Sequence, residues 1–271
     1  VHAGEVIEMH DPPSSVRAKK DASIVRCAKL VKVGAADALV SAGNTGATMA
    51  AALLRVGRIR GVVRPAIGVP IPVPGHHPQI LVDGGAAVDC APEWLYQFAV
   101  LGREYARVRL GIDEPRVGLL SNGEEASKGD ELRKQAFPLL ERLPGFVGNV
   151  EGRDFMHPVV DVIVTDGFTG NVALKTIEGA IRGTASLVFA ALDDPEIKDA
   201  AEIVMPRLLE AATELDPDRV GGAVLLGIDG VCVVAHGSSN ATAIVSSVAR
   251  AVECVQQRVV ERAKEAVRDA G

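Results

Sequence analysis

One pattern recurs along the chain: a short apolar run, then a polar turn containing glycine, then a helix-forming segment. At its first occurrence the run Asp37–Val40 leads through Ser41-Ala-Gly-Asn-Thr-Gly46 into Ala47–Leu54. Alternating strands and helices predict an α/β fold with a mainly parallel sheet and helices on both faces. Ligands bind outside the carboxyl ends of the strands in such sheets, so we expect the turns to form a common site.

The first turn has the composition of an anion-binding site. A strand, a tight turn and a helix leave backbone N–H groups unpaired and directed at a bound anion. Gly43 and Gly46 allow the backbone to approach a ligand closely. Ser41, Asn44 and Thr45 add side-chain donors, so we predict phosphate binding here. The alternative is a well-capped junction without a ligand.

Later apolar runs end in turns of similar chemistry. These turns lie at Asp83–Cys90, Ser121–Asp130, Asn149–Glu151, Asp166–Asn171 and Ala235–Asn240. If they converge, they supply backbone N–H groups, amide and hydroxyl donors, the cations Lys128 and Lys175, and His236. This set predicts a cradle for a phosphate-sized anion beside an electrophile.

Three other chemistries compete with this interpretation. A serine nucleophile is a rival because His236, Ser238 and Ser239 are neighbours, but the chain has no Gly-x-Ser-x-Gly elbow. No Gly-x-Gly-x-x-Gly follows a strand, which argues against dinucleotide binding. Asp83 and Asp89 lack further clustered ligands, so we interpret them as capping residues and predict no metal site.

Composition narrows the partners and the compartment. Aromatic residues make up 3% of the chain and the formal net charge is −6, which argues against nucleic-acid binding. The four cysteines lie far apart without a C-x-x-C pair, as in a reducing cytoplasm. No apolar run reaches the ~18 residues of a membrane span, and we find no signal peptide. We therefore expect a cytoplasmic protein.

Three segments carry further structural predictions. Val6–Met9 is predicted as a short strand, Ser14–Val33 as one helix, and the segment after Asn240 as one long C-terminal helix. Apolar residues recur at helical spacing on both sides of Asp193-Asp-Pro195, which predicts a helical hairpin near 181–215. Its apolar face suits a dimer interface or a lipid surface.

Taken in order, six motifs resemble those of the PlsX family of phosphate acyltransferases. They are Ser41–Ala47, Asn122–Glu125 with Lys128 and Gly129, Phe146–Asp154, Asp166–Val172 with Lys175, Gly221–Gly227, and His236–Ser239. The resemblance implies a fold akin to phosphotransacetylases and isopropylmalate dehydrogenases. That family begins with a further strand and an Asp-Ala-Met-Gly-Gly-Asp motif, so we expect the N-terminal part of its fold to be absent here. Residues 1–271 then form one α/β catalytic unit, either as one domain or as two closely packed lobes.

The resemblance also implies an activity: transfer of a fatty acyl group from acyl carrier protein to inorganic phosphate, giving acyl phosphate for phospholipid biosynthesis. It implies a homodimer without metal or organic cofactor. The enzyme would be cytoplasmic and would contact the membrane, or a membrane acyltransferase, peripherally. The alternatives are a phosphotransacetylase that uses coenzyme A and a non-catalytic module that senses acyl groups or phosphate.

We expect phosphate to attack the thioester carbonyl directly, because it is a nucleophile at neutral pH. The predicted catalytic residues comprise two cations, a histidine–serine pair for the oxyanion or leaving thiolate, and two orienting residues. They are Lys128 and Lys175, His236 and Ser238, and Asn149 and Asp166. The predicted phosphate- and substrate-binding residues are Ser41, Gly43, Asn44, Thr45, Gly46, Asn122, Glu124, Asn171 and Ser239.

Overall fold

The computed structural model describes residues 1–215 and 221–270, and within them short runs of Val, Leu and Ile form strands. Branched apolar side chains favour strands because they fit a pleated, buried surface. The strands are β1 (Ala38–Ser41), β2 (Ala66–Ile71), β3 (Gln79–Val82), β4 (Val117–Leu120), β5 (Phe146–Val150), β6 (Val162–Val164), β7 (Ala223–Leu226) and β8 (Val231–Val234). The α-helices are α1 (Ser15–Ala18), α2 (Ser23–Lys32), α3 (Thr45–Ala51), α4 (Pro92–Leu110), α5 (Glu131–Leu140), α6 (Gly167–Leu192), α7 (Lys198–Ala212), α8 (Ala241–Gln256) and α9 (Val259–Ala270), and a π-helical turn (Ala52–Val56) extends α3.

The described strands form one sheet in the order β1-β8-β7-β2-β3-β6-β4-β5. Four of the seven pairings between them are parallel and three are antiparallel, which confirms the predicted mainly parallel sheet. The antiparallel pairings are those of β2 and β7 with each other and with their outer neighbours. As a result, β1 and β8 run opposite to β3, β4, β5 and β6.

Helices cover both faces of the sheet, as predicted. On one face, α4, α5, α8 and α9 bury apolar side chains against the strands, including Phe98, Leu140 and Cys254. On the other face, α2 and α3 lie over β1 and β8, with Ala47 in the apolar cluster. On that same face α6 lies over β3, β4 and β6, where Leu174 joins a separate cluster.

The predicted strand at Val6–Met9 is wrong. The structure has an isolated bridge between Glu5 and Ala22 in this region instead. The carbonyl groups of Glu8 and Met9 accept hydrogen bonds from the side-chain amide of Asn44, at 3.2 and 3.0 Å. This segment therefore bonds to a turn rather than to a neighbouring strand.

The predicted single helix at Ser14–Val33 is also wrong, because α1 and α2 are separated at Lys19–Ala22. The Lys19 ammonium group donates to the Asp11 carboxylate at 2.6 Å and to the Val6 carbonyl at 2.9 Å. These contacts tie the interruption to the N-terminal segment, and tertiary contacts of this kind override local helix propensity.

The predicted break in the segment 181–215 is confirmed in its local structure. Helix α6 ends at Leu192, a 3-10 turn follows at Pro195–Ile197, and α7 continues to Ala212. Several large apolar side chains of these helices are exposed, and the most exposed are Leu187 at 75% and Ile203 at 76%. Over residues 1–215 and 221–270, no helix has the length and apolar character needed to cross a membrane.

Two features near the C terminus differ from expectation. Strand β7 follows two glycines, and its apolar run was not predicted as a strand. The single long C-terminal helix is wrong, because the chain forms α8 and α9 instead. Arg258 lies between them with φ of 57°, a left-handed conformation that interrupts a helix.

Candidate active site

The candidate residues lie in two groups because β1 and β8 run opposite to β3–β6. We call the sheet end where β1 and β8 finish the Ser41 end, and the end where β3–β6 finish the Asp83 end. The Ser41 end holds Ser41, Gly43, Asn44, Thr45, Gly46, His236, Ser238 and Ser239, whereas the Asp83 end holds Asn122, Glu124, Lys128, Asn149, Asp166 and Asn171, with Lys175 further along α6. The expectation that all the turns share one end of the sheet is therefore wrong.

Asn44 organises the turn at the Ser41 end. Its side-chain oxygen accepts a hydrogen bond from the Ala47 N–H at 2.9 Å and so caps α3. Its amide nitrogen donates to the carbonyl groups of Glu8, Met9 and Asp11 at 3.2, 3.0 and 2.9 Å. Because an amide nitrogen carries two N–H donors, these contacts occupy both of them.

Backbone N–H groups are the donors that remain in this turn. Thr45 and Gly46 are the first residues of α3, where N–H groups have no partner within the helix. The Ser41 hydroxyl lies 2.9 Å from the Thr48 hydroxyl and accepts from the Gly43 N–H at 3.3 Å. The turn therefore presents a rigid backbone rather than a set of free side-chain amides.

The turn after β8 lies directly beside this one. The Ala235 N–H donates to the Ser41 carbonyl at 2.8 Å, and the Ser239 N–H donates to the His236 carbonyl at 3.0 Å. The His236 Nδ1 atom lies 2.7 Å from the Ser238 hydroxyl. His236 and Ser238 are exposed, so both are accessible to a substrate.

Asp83 organises the opposite end. It is fully buried, and its carboxylate accepts hydrogen bonds from the N–H groups of Ile67, Gly85, Ala86 and Ala87 at 2.7–3.1 Å. Burial raises the pKa of Asp83, although these hydrogen bonds oppose the shift. Its partners are all backbone groups, which fits the predicted capping role. Within the described ranges no group of three or more His, Cys, Asp or Glu side chains could hold a metal ion.

Cys90 closes the same turn. Its thiol donates to the Ala87 carbonyl at 3.3 Å. Burial raises the pKa of the Cys90 thiol to about 11, so the group is protonated at neutral pH. A thiolate nucleophile at this position is therefore disfavoured.

Arg133 holds the Asp166 turn in place, and sequence reasoning missed it. Its buried guanidinium donates to the Asp166 carboxylate at 2.5 Å and to the hydroxyls of Thr165 and Thr169 at 2.9 and 3.1 Å. Burial would raise the pKa of Asp166, but hydrogen bonds from Thr169 and Arg133 outweigh it, and the pKa is lower than usual. One signal in the sequence points to Arg133: it is three residues after Asp130, the residue that caps α5. The two side chains form an ion pair at 2.7 Å.

Two buried polar atoms lack a partner beside the loop 121–130. Within the described part of the chain, neither the Ser121 hydroxyl oxygen nor the Asn149 side-chain oxygen has a hydrogen-bond partner. The Asn149 amide donates to the Glu125 carbonyl at 2.8 Å, and Asn122 accepts from the Gly129 N–H at 2.8 Å. Buried polar atoms are nearly always paired, so these two mark a place where a bound group would complete the contacts.

Lys128 supplies the cation of this loop. Its side chain is exposed, and its ammonium group forms no ion pair with any residue that the structure describes. Its stem lies against Gly123, where a Cβ atom would come within 2.8 Å of the Lys128 Cγ atom. Glu124 instead pairs with Arg153 at 2.8 Å, and both side chains are exposed. Lys128 therefore keeps an unneutralised charge beside the two unpartnered atoms.

Helix α6 connects the Asp83 end with the face that also carries α3. The Asn171 amide donates to the Gly84 carbonyl at 3.3 Å. Lys175 is four residues further on, so it lies on the same side of α6, where it pairs with Glu178 at 2.8 Å. Val69 of β2 contacts both the apolar cluster under α3 and the one under α6. We call the strip of sheet over β2, between α3 and α6, the β2 groove.

This fold is similar to that of a phosphotransacetylase from Streptococcus pyogenes. The TM-score is 0.53 at 16% identity, and the match covers 93% of this chain and 69% of that chain. At this identity the likeness defines the fold class alone. It confirms the predicted phosphotransacetylase-like architecture, whereas the kinship with isopropylmalate dehydrogenases stays a prediction.

The chain belongs to the family described as fatty acid synthesis protein, whose family model matches residues 1–262. A relative from Leptospira biflexa is 44% identical over 98% of this chain and 79% of its own length. A relative from a Geobacillus species is 47% identical over 98% of this chain and 82% of its own length. Both are named phosphate acyltransferase. The resemblance found in the sequence motifs is thus confirmed, as is the prediction of an acyltransferase enzyme.

Proposed function

We propose that the chain transfers a fatty acyl group from a thioester to inorganic phosphate. The observation that carries this proposal is the match of nearly the whole chain to relatives named phosphate acyltransferase, at 44% and 47% identity. In the reaction a phosphate oxygen forms a bond to the carbonyl carbon and the carbon–sulfur bond breaks. The products are an acyl phosphate and a thiol, whose sulfur takes up a proton.

The site must hold phosphate, offset its charge and stabilise the tetrahedral oxyanion. In our proposal the substrates meet in the β2 groove, because α3 enters it from the Ser41 end and α6 enters it from the Asp83 end. The N–H groups of Thr45 and Gly46, with Ser41, bind phosphate. His236 and Ser238 contact the oxyanion or the leaving sulfur.

The Asp83 end contributes positive charge and rigid support to this reaction. Lys128 and Lys175 offset the negative charge, and Lys128 is the stronger candidate because Glu178 already pairs with Lys175. Asn149 and Asp166 orient the loops that carry these groups. Asn122, Glu124, Asn171 and Ser239 complete the binding surface.

The acyl donor is proposed to be acyl carrier protein, with the product entering phospholipid biosynthesis. The competing donor is coenzyme A, the alternative that the sequence leaves open. The decisive assay measures phosphate-dependent thiol release and acyl phosphate formation with acyl carrier protein and with acyl coenzyme A. A higher kcat/KM with acyl carrier protein supports the proposal, and a higher kcat/KM with acyl coenzyme A favours the competing donor. If neither donor is turned over, the chain is better explained as a non-catalytic sensing module.

Direct attack by phosphate predicts that no serine carries the acyl group. Ser238→Ala and Ser239→Ala should each keep measurable activity, because each would lose one hydrogen bond rather than a nucleophile. Intact-mass spectrometry of the wild-type enzyme during turnover should show no acyl adduct. A stable acyl group trapped on either serine would replace direct attack by a covalent mechanism.

We also propose that the enzyme is a homodimer that contacts the membrane peripherally through α6 and α7. The support is the set of exposed apolar side chains on these helices, since an apolar helix face can bind a bilayer surface without spanning it. The acyl phosphate product is itself apolar along its chain, so release at a membrane avoids exposure to water.

Leu187→Asp with Ile203→Asp should lower the affinity for anionic liposomes by about tenfold in a sedimentation assay, because two apolar contacts become charges. Light scattering should show that the variant is still a dimer. Ala185→Asp with Ala212→Asp is the control, since it adds the same charge to the same helices on the sides away from Leu187 and Ile203. A monomeric or unfolded double variant would instead identify this face as a subunit interface.

A further inference from the structure

The loop 57–65 carries three exposed arginines, Arg58, Arg60 and Arg64, in a chain whose net charge is −6. We call it the arginine loop. None of the three forms an ion pair with a carboxylate in residues 1–215 or 221–270. Three unpaired cations within seven positions on an acidic protein form a local positive patch, which attracts negatively charged partners.

The backbone under this patch is well fixed. Ile59 and Val62 are buried in the main apolar core. The Val63 N–H donates to the Gln97 side-chain oxygen at 2.9 Å, and the Gln97 amide donates back to the Gly61 carbonyl at 2.9 Å. A fixed backbone lowers the entropy lost when a partner binds, so the loop is preorganised for recognition.

The patch has the composition of a protein-binding surface. The Arg64 guanidinium lies 5.0 Å from the centre of the Trp94 ring, which belongs to the single tryptophan of the chain. Arginine and tryptophan are among the residues enriched in interface hot spots, and the exposed Val63 is next to Arg64 in the sequence. Asp229, a carboxylate next to the loop, is already paired with Lys264 at 2.5 Å.

The patch also lies at the Asp83 end of the sheet. Pro65 alone separates Arg64 from β2, and the N–H of Ile67 in that strand donates to the Asp83 carboxylate at 2.8 Å. Trp94 lies in the first turn of α4, which follows the Asp83 turn. A protein bound to the arginine loop would therefore sit at the Asp83 end, where the turns carrying Lys128 and Asp166 lie.

We propose that the arginine loop and Trp94 form the docking surface for an acidic protein that delivers the acyl thioester. This inference rests on the proposed function and adds the surface that would select a protein-bound donor. A carrier protein with a negative face would be steered to the patch and held beside the site. A small thioester such as acyl coenzyme A does not need this contact, which separates the docking role from catalysis.

Charge reversal of the loop tests the proposal. In Arg58→Glu with Arg60→Glu, the Kd for acyl carrier protein without an acyl group should rise tenfold or more, because attraction becomes repulsion. The KM for the acylated carrier protein should rise in parallel, whereas kcat/KM with a small acyl thioester should stay unchanged. Arg17→Glu with Lys20→Glu, an exposed basic pair elsewhere, is the matched control and should leave Kd unchanged.

An unchanged Kd in the loop variant overturns the proposal, as does equal loss of activity with carrier-bound and small thioesters. Arg58 also donates to the Val63 carbonyl, so the double variant could lose its fold. If circular dichroism shows that it is unfolded, the same Kd measurement is made with Arg60→Glu alone. Carrier binding is measured without turnover. Failure of the wild-type enzyme to form acyl phosphate would therefore refute the proposed function. The Kd for the carrier protein would still decide whether the arginine loop binds it.

Discussion

Replacement of Arg133 by methionine is expected to lower the free energy of unfolding by about 3–5 kcal/mol, because it leaves the Asp166 charge buried without its partner. Both side chains are less than one-tenth exposed, at 8% and 7%, and they lie 2.5 Å apart. The same substitution removes the hydrogen bonds to Thr165 and Thr169. Urea denaturation at neutral pH measures the change.

The effect should depend on pH in one direction. Because the pKa of Asp166 is lowered in the folded protein, its contribution to stability is present above the unfolded pKa of about 3.9 and is lost as pH falls through the lower folded value. As pH falls, protonation removes the Asp166 charge that has no partner in Arg133→Met, so the difference between wild type and variant should shrink. Lys134→Met, at the exposed neighbouring position, should change stability by less than about 0.5 kcal/mol. Equal stability of wild type and Arg133→Met at neutral pH would contradict the buried-pair account.

The elements that the sequence predicts well are those with local signals. Helix α4 begins with Pro92 and is closed by Gly111 in a left-handed conformation, and both residue types mark helix ends. Strand β6 and the last three residues of β3 are continuous apolar runs, as expected for strands buried on both faces. The turns after them were recognised from their glycine, asparagine and aspartate content.

Strand direction was not predictable, and it decides the shape of the site. Whether a strand pairs parallel or antiparallel depends on contacts between distant segments, which a pattern of apolar residues does not encode. Strands β7 and β2 lie between β8 and β3 and pair antiparallel, so β1 and β8 run opposite to β3–β6. The Ser41 turn and the Asp166 turn therefore lie at opposite ends of the sheet. The sequence motifs placed these turns together, whereas the strand directions separate them.

The buried role of Arg133 could not be predicted for a similar reason. An arginine in the first turn of a helix is usually exposed, and its partners Thr165 and Asp166 are more than thirty positions away. Lys128 shows the opposite case. Its glycine-rich surroundings are local, and the structure places it in an exposed loop, as the sequence suggested.

Loss of the Lys128 charge should slow acyl transfer strongly without unfolding the protein. In Lys128→Ala, kcat/KM for phosphate and acyl carrier protein should fall about 30- to 1000-fold, which corresponds to about 2–4 kcal/mol of transition-state stabilisation. The charge is available because the ammonium forms no ion pair among the described residues. Lys175→Ala should have a smaller effect, because Glu178 already offsets part of that charge.

Stability should not follow activity in this variant, since an exposed lysine in a glycine turn supports little of the core. The midpoint of thermal unfolding of Lys128→Ala should stay within about 2 °C of the wild type. Lys134→Ala removes a nearby exposed lysine from α5 and should keep full activity, which excludes a general effect of net charge. If Lys128→Ala folds and turns over at the wild-type rate, the Asp83 end does not supply the charge that offsets phosphate. The transfer step would then belong to the Ser41 and His236 turns, where the N–H groups of Thr45 and Gly46 would have to hold the anion.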